Sequence, residues 1–144
     1  MKVKIKKLVE NAVIPAYATE GSAGMDLTAT SISFDKDNNV VYGTGLAFEI
    51  PKGYVGLLFP RSSNAKKDVL LSNSVGVLDS DFRGEVTFKF RRTNRKLFSC
   101  EKFYEVGDRI GQIIIVKHPN IEFVESEELS ATERGAGGYG HTGK

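Results

Sequence analysis

A single cysteine, Cys100, excludes an intrachain disulfide framework in this chain of 144 residues. The two histidines, His118 and His141, stand far apart, so a structural zinc site is not expected. No run approaches the roughly 20 apolar residues that cross a bilayer, and no membrane partner is expected. The opening MKVKIKKLVENAV has basic residues but neither a continuous apolar segment nor a small-residue cleavage site. No signal peptide is therefore expected, and the setting is a cytoplasmic or other reducing intracellular compartment. Charge of one sign is missing as well: the net charge of +2 sets up no broad field. The local run RRTNRK, Arg91 to Lys96, reads as a solvated hairpin turn, and no nucleic-acid partner is expected.

Helix signals are scarce. The one modest candidate is Ser62 to Lys67, where two serines and Asn64 can cap a couple of turns. What the chain does carry is alternation with a period of two. Val3 and Ile5 alternate with lysines; Leu46, Phe48 and Ile50 form a second run. Val55, Leu57 and Phe59 form a third, and Val86, Phe88 and Phe90 a fourth. The segment IGQIIIV, Ile110 to Val116, is apolar on nearly both faces, the pattern of a strand covered on both sides. Val40 to Tyr42 and Ile121 to Val124 are shorter candidates. Short strands between Gly, Pro, Asn and Asp turns predict one all-β domain, a jelly-roll-like β-sandwich or barrel. A chain of this length buries roughly 70% of the surface its unfolded form would expose.

The composition changes at Ser130, where a glycine-rich tail begins, so the expected organisation is a β-rich core over 1–129 and a terminal arm over 130–144. Ordering such glycines is costly, and two readings stand: a frayed terminus, or a loop that wraps a phosphate with consecutive backbone N–H groups. Arg134 would add a fork of donors and Tyr139 a flat face for a base. Gly138, Gly143 and Lys144 satisfy GxxxxGK, but a P-loop also needs a following Ser or Thr and a helix, so none is expected. The DSD of Asp79 to Asp81 is by itself an ordinary turn sequence, and Phe82 by itself an ordinary core residue.

Five polar clusters occur in order: AGMDL (Ala23 to Leu27), PRSS (Pro60 to Ser63), NSVGVLDSDFRGE (Asn73 to Glu85), GDRIGQ (Gly107 to Gln112) and RGAGGYGHTG (Arg134 to Gly143). Together they make the chain similar to the trimeric deoxyuridine triphosphate nucleotidohydrolases, the dUTPases. The resemblance implies a β-clip jelly roll, a homotrimer with shared active sites, and magnesium-assisted hydrolysis of dUTP to dUMP and pyrophosphate at the α-phosphorus. It implies that Asp79 activates the attacking water and that Asn73, with backbone groups of Gly76 and Val77, reads uracil. Phe82 stands where the family usually has a tyrosine beneath the deoxyribose. Arg61, Ser62 and Ser63 match the phosphate-facing motif, with Ser63 replacing the usual glycine. Asp26 and Gln112 are implied around the phosphates and a hydrated Mg²⁺, through water rather than by direct ligation. In the arm, Arg134 clamps phosphates, Tyr139 replaces a phenylalanine stacked on the base, and Gly138, Gly140, His141 and Thr142 supply donors. Asp108 and Arg109 read as a buried or interfacial ion pair, with Arg83 orienting the uracil hairpin or supporting the interface. A related fold, dCTP deaminase, is disfavoured by VLDSDFRGE and the full arm, and a non-enzymatic nucleotide-binding trimer by Asp79 occurring with both arginines.

Overall fold

The two-residue alternation is the main determinant of the backbone. The computed structural model describes residues 1–93 and 103–141. Cys100, Thr142 and the second half of the RRTNRK run lie outside the described residues. Ten strands run in chain order: β1 Lys4–Lys7, β2 Met25–Thr28, β3 Ser31–Phe34, β4 Val40–Gly43 and β5 Leu46–Glu49, then β6 Tyr54–Phe59, β7 Val69–Leu71, β8 Gly76–Leu78, β9 Thr87–Arg92 and β10 Arg109–Lys117. They form a small sheet β1-β5 and two four-stranded sheets, β2-β10-β6-β8 and β3-β4-β9-β7. Every pairing is antiparallel. One apolar core draws on all three, with Leu27 and Ile113 from one sheet, Val40, Phe88 and Phe90 from another, and Leu46 and Phe48 from the small one. The all-β sandwich expected from the alternation is the observed architecture.

Phe88 and Phe90 follow the predicted alternation and are buried on one face of β9. Tyr42 meets Phe90 edge-on at 5.7 Å and Tyr104 at 6.0 Å, the geometry in which ring edge and ring face attract. The two large sheets come closest where Gly111 of β10 faces Phe88. A methyl group at position 111 would overlap the Phe88 ring and lie 2.9 Å from the Phe59 carbonyl oxygen.

Four expectations need correction. In β6 the deeply buried residues are Gly56 and Leu58, while Val55, Leu57 and Phe59 are only partly buried, so the apolar alternation there had the wrong phase. Leucines occupy both faces of that strand, and alternation alone cannot choose between them. β10 is buried through Ile113, but Ile114, Ile115 and Val116 are half-exposed rather than covered on both faces. Ile121 to Val124 forms no strand; Ile121, Phe123 and Val124 are exposed, and among the described residues no strand pairs with them. The candidate helix is a single 3₁₀ turn, Ser62–Lys66, whose N-cap is Arg61 and which has no side-chain cap bond. From Lys117 to His141 every residue except Gly137 is exposed.

Candidate active site

Strand register assembles the first cluster. Asp26 of β2 lies directly opposite Gln112 of β10, and Phe59 at the end of β6 flanks Gln112 on its other side. The chain continues from Phe59 through Pro60 to Arg61, so three strands deliver their polar residues to one place. Arg61 Nε donates to Asp26 Oδ1 at 2.9 Å, and Arg109 Nη1 donates to Asp26 Oδ2 at 3.1 Å. Gln112 Nε2 donates to the Pro60 carbonyl at 3.3 Å, and Arg61 Nη1 to Ser63 Oγ at 3.4 Å. Ser62 is exposed. One carboxylate thus holds two guanidinium groups, leaving an excess positive charge suited to a polyanion.

Arg109 belongs to this cluster, which its sequence context did not reveal. The Asp108–Arg109 ion pair expected there does not form. Asp108 instead accepts from the Glu105 amide at 2.9 Å and lies 3.7 Å from Lys67 Nζ, and neither it nor Arg109 is buried. The cause is a β-bulge between Arg109 and Gly111, which re-aims the arginine along the sheet toward Asp26. Nothing in the letters GDRIGQ signals such a bulge.

The second cluster is a cavity of about 200 Å³ at the β8 edge of the same sheet. Asn73, Gly76, Val77, Asp79 and Phe82 line it, so the residues of the third motif to which the resemblance gives uracil, deoxyribose and water-activating roles share one cavity, whereas Tyr139, expected to stack on the base, lies in a separate hollow. Glu85 and Thr87 also line it, and sequence reasoning had not singled them out. Asp79 begins a tight turn in which the Phe82 amide donates to its carbonyl at 3.2 Å. Arg83 Nη1 clasps that turn from outside, donating to the carbonyls of Ser80 at 2.7 Å and Phe82 at 2.9 Å. Phe82 is 44% exposed, a wall of the cavity and not a core residue. Its ring lies against Gly84, where a methyl group would stand 2.6 Å from Phe82 Cζ.

The third cluster is the arm. Arg134, Gly138, Tyr139, Gly140 and His141 line one open hollow, with Tyr139 wholly exposed. Arg134 Nε donates to the Gly137 carbonyl at 2.8 Å, curling the segment on itself. Among the described residues, none of Arg61, Ser62, Gln112 or Arg134 lines the cavity that holds Asp79. Among the described residues there is no group of three or more His, Cys, Asp or Glu side chains that could cage a metal ion, and no helix long and apolar enough to cross a membrane.

A β-sandwich with a small polar cavity on one sheet edge and paired arginines on the other is equipped to handle an anionic small molecule, and a nucleotide fits both features. Comparison with known proteins makes this specific. The dUTPase family profile matches residues 10–143. The deoxyuridine 5'-triphosphate nucleotidohydrolase of Nautilia profundicola is 43% identical over 146 aligned positions, covering 100% of both chains. That of Fusobacterium nucleatum is 42% identical, covering 99% of each. Among solved structures, the dUTPase of Staphylococcus bacteriophage 80alpha with dUpNHpp superposes with a TM-score of 0.81 at 27% identity, covering 99% of each chain. The chain belongs to the dUTPase family and is homologous to its trimeric members. It is a dUTP diphosphatase, hydrolysing dUTP to dUMP and pyrophosphate.

Proposed function

We propose that Asp79 presents the attacking water to the α-phosphorus of dUTP, in a site assembled from different chains of a homotrimer. The observation that carries this reading is the separation of the clusters. Asp79 shares its cavity with Asn73, Gly76, Val77 and Phe82, whereas the phosphate-suited arginines lie elsewhere on the same chain. A triphosphate must meet both at once, and a second copy can supply the missing half.

The chemical division of labour follows. An ordinary carboxylate is ionised at neutral pH and accepts a proton as the water attacks. Its basicity is low, so holding the water in line with the departing pyrophosphate matters as much as the proton transfer. Asn73 and the backbone at Gly76 and Val77 hold uracil, and the Phe82 ring forms the floor beneath the deoxyribose. Arg61 and Ser62 face the phosphates, with Ser63 bonded to Arg61. Arg134 clamps the terminal phosphates, Tyr139 stacks on the base, and Gly138, Gly140, His141 and Thr142 bring donors around the chain of phosphates. Ordering about eight such residues costs on the order of 8–12 kcal/mol, so several charge-assisted bonds and the stacking must act together.

The donor set fits a magnesium ion that arrives on the substrate. Both Asp26 oxygens already accept from guanidinium groups, which leaves Asp26 and the Gln112 amide to address the ion through its water shell. Bound there, magnesium supplies charge neutralisation along the triphosphate.

Mixed trimers test the reading. Asp79→Asn and Arg61→Ala are each expected to abolish pyrophosphate release while retaining the trimer. Co-assembled at equal amounts, they should recover activity in about a quarter of the sites, those drawing both intact halves by chance. An inactive mixture of correctly assembled heterotrimers would refute the shared site. Full hydrolysis by Asp79→Asn alone would refute the assignment of the base.

A further inference from the structure

The turn that carries Arg61 and Ser62 is held from behind by a string of buried polar groups that no part of the reaction uses. Asn64 is 9% exposed, one of two buried polar residues among those described. Its amide nitrogen donates through Nδ2 to the Val69 carbonyl at 3.0 Å, and its Oδ1 accepts from Tyr104 Oη at 3.2 Å. Tyr104 is fixed in turn: Tyr42 Oη donates to its carbonyl and accepts from its amide, each at 3.1 Å. On the far side of the turn, Lys67 Nζ donates to the Phe103 carbonyl at 2.7 Å and stands 4.7 Å above the Tyr104 ring. The string is coupled directly to the phosphate-facing residues, because the Asn64 backbone amide donates to the Arg61 carbonyl at 2.9 Å. Burial pushes the Tyr104 phenol up, with the Ser63 hydroxyl acting in the opposite direction.

A five-residue 3₁₀ turn without a side-chain cap has little stability of its own, so its position is set by what it touches. Apolar contact alone would keep it near the core but would not fix its rotation. A buried hydrogen bond does, because misalignment leaves both partners unsatisfied. We propose that Tyr104 and Asn64 form a positioning pair that aims Arg61 and Ser62 at the triphosphate end of the substrate. This rests on the phosphate-facing reading of those two residues. Tyr104 is not itself expected to touch substrate.

The test compares two ligands on one protein. In Tyr104→Phe the ring stays and one oxygen leaves. Its affinity for dUpNHpp should fall about fivefold and kcat for dUTP by a similar factor, while affinity for dUMP, which lacks the outer phosphates, stays at the wild-type value. A merely structural tyrosine would lower the thermal midpoint and leave the ratio of the two affinities unchanged. The double variant Asn64→Leu with Tyr104→Phe removes the orphaned amide. It also strips the Val69 carbonyl of its Asn64 partner, so it should melt no higher than Tyr104→Phe and bind dUpNHpp no more tightly, and recovery of dUpNHpp affinity would overturn the proposal. So would wild-type dUpNHpp binding by Tyr104→Phe, or an equal loss for both ligands. Arg61→Ala separates the two levels of inference. If it weakens dUpNHpp and Tyr104→Phe does not, the positioning pair fails alone. If Arg61→Ala binds dUpNHpp normally, the phosphate reading of the turn fails and takes the pair with it.

Discussion

Tyr42→Phe isolates one buried oxygen. The ring contacts with Phe90 and Tyr104 survive the change, so the perturbation is confined to the hydroxyl and its two bonds to the Tyr104 backbone. Tyr42 is fully buried and Tyr104 is 3% exposed, leaving water poor access to replace what is lost. Each buried backbone group left without a partner costs about 1–3 kcal/mol, partly offset because the variant no longer buries a hydroxyl. The net expectation is about 2–3 kcal/mol per chain. With a urea dependence of about 2 kcal/mol/M, that becomes a midpoint lowered by about 1–1.5 M at unchanged slope. The assay is urea unfolding followed by far-ultraviolet circular dichroism at one fixed protomer concentration, since assembly makes stability concentration-dependent. A midpoint within about 0.3 M of wild type would refute the reasoning, because it would mean the two backbone groups are satisfied without Tyr42.

Two other substitutions probe different regions. Gly84→Ala sets a methyl against the Phe82 ring and should displace that cavity wall, raising KM for dUTP about tenfold with the thermal midpoint little changed; steady-state kinetics beside a melting curve check both halves. Asp35 closes the β3–β4 turn, accepting from the Asn39 side-chain and backbone amides and from the Asp37 amide, with Lys89 Nζ at 3.0 Å. Bonding to Asn39 first, and to Lys89 after it, holds its carboxyl well below the usual carboxylate range. A depressed folded-state pKa contributes stability above the unfolded value and loses it as pH falls. Asp35→Asn should therefore be less stable than wild type at neutral pH, with the gap narrowing below about pH 4. Urea midpoints of both proteins across that range decide it, and a gap independent of pH would count against it.

Much of this fold was legible because its alternating runs have one face clearly apolar. Phe88 and Phe90 leave no doubt about which side of β9 points inward, and lysines on either side of Ile5 do the same for β1. The reading failed where alternation was ambiguous or where a strand-like run finds no partner strand among the described residues. β6 has apolar residues on both faces, and its register is set by β10 and β8 rather than by its own letters. Ile121 to Val124 has strand composition but no partner strand among the described residues. In the site, motif spacing was enough to gather Asn73, Asp79 and Phe82 around one cavity, since they lie in one short stretch of chain around β8. Arg109 was misjudged because its partner is decided by a bulge, a property of two paired strands. Asn64 was read only as a helix cap and Tyr104 escaped notice, for a similar reason: they are forty positions apart, and only folding makes them neighbours.

The meeting of Gly111 and Phe88 constrains how this sequence can drift. The smallest residue of one sheet and a large ring of the other share a single space, so neither position can vary alone. A lineage that acquires alanine at 111 must trade the phenylalanine for something slimmer and also shift the β6 backbone at Phe59, whose carbonyl crowds the same point, and the order of those steps decides which intermediates survive. The history of the β10 strand is in that sense written jointly with that of β9.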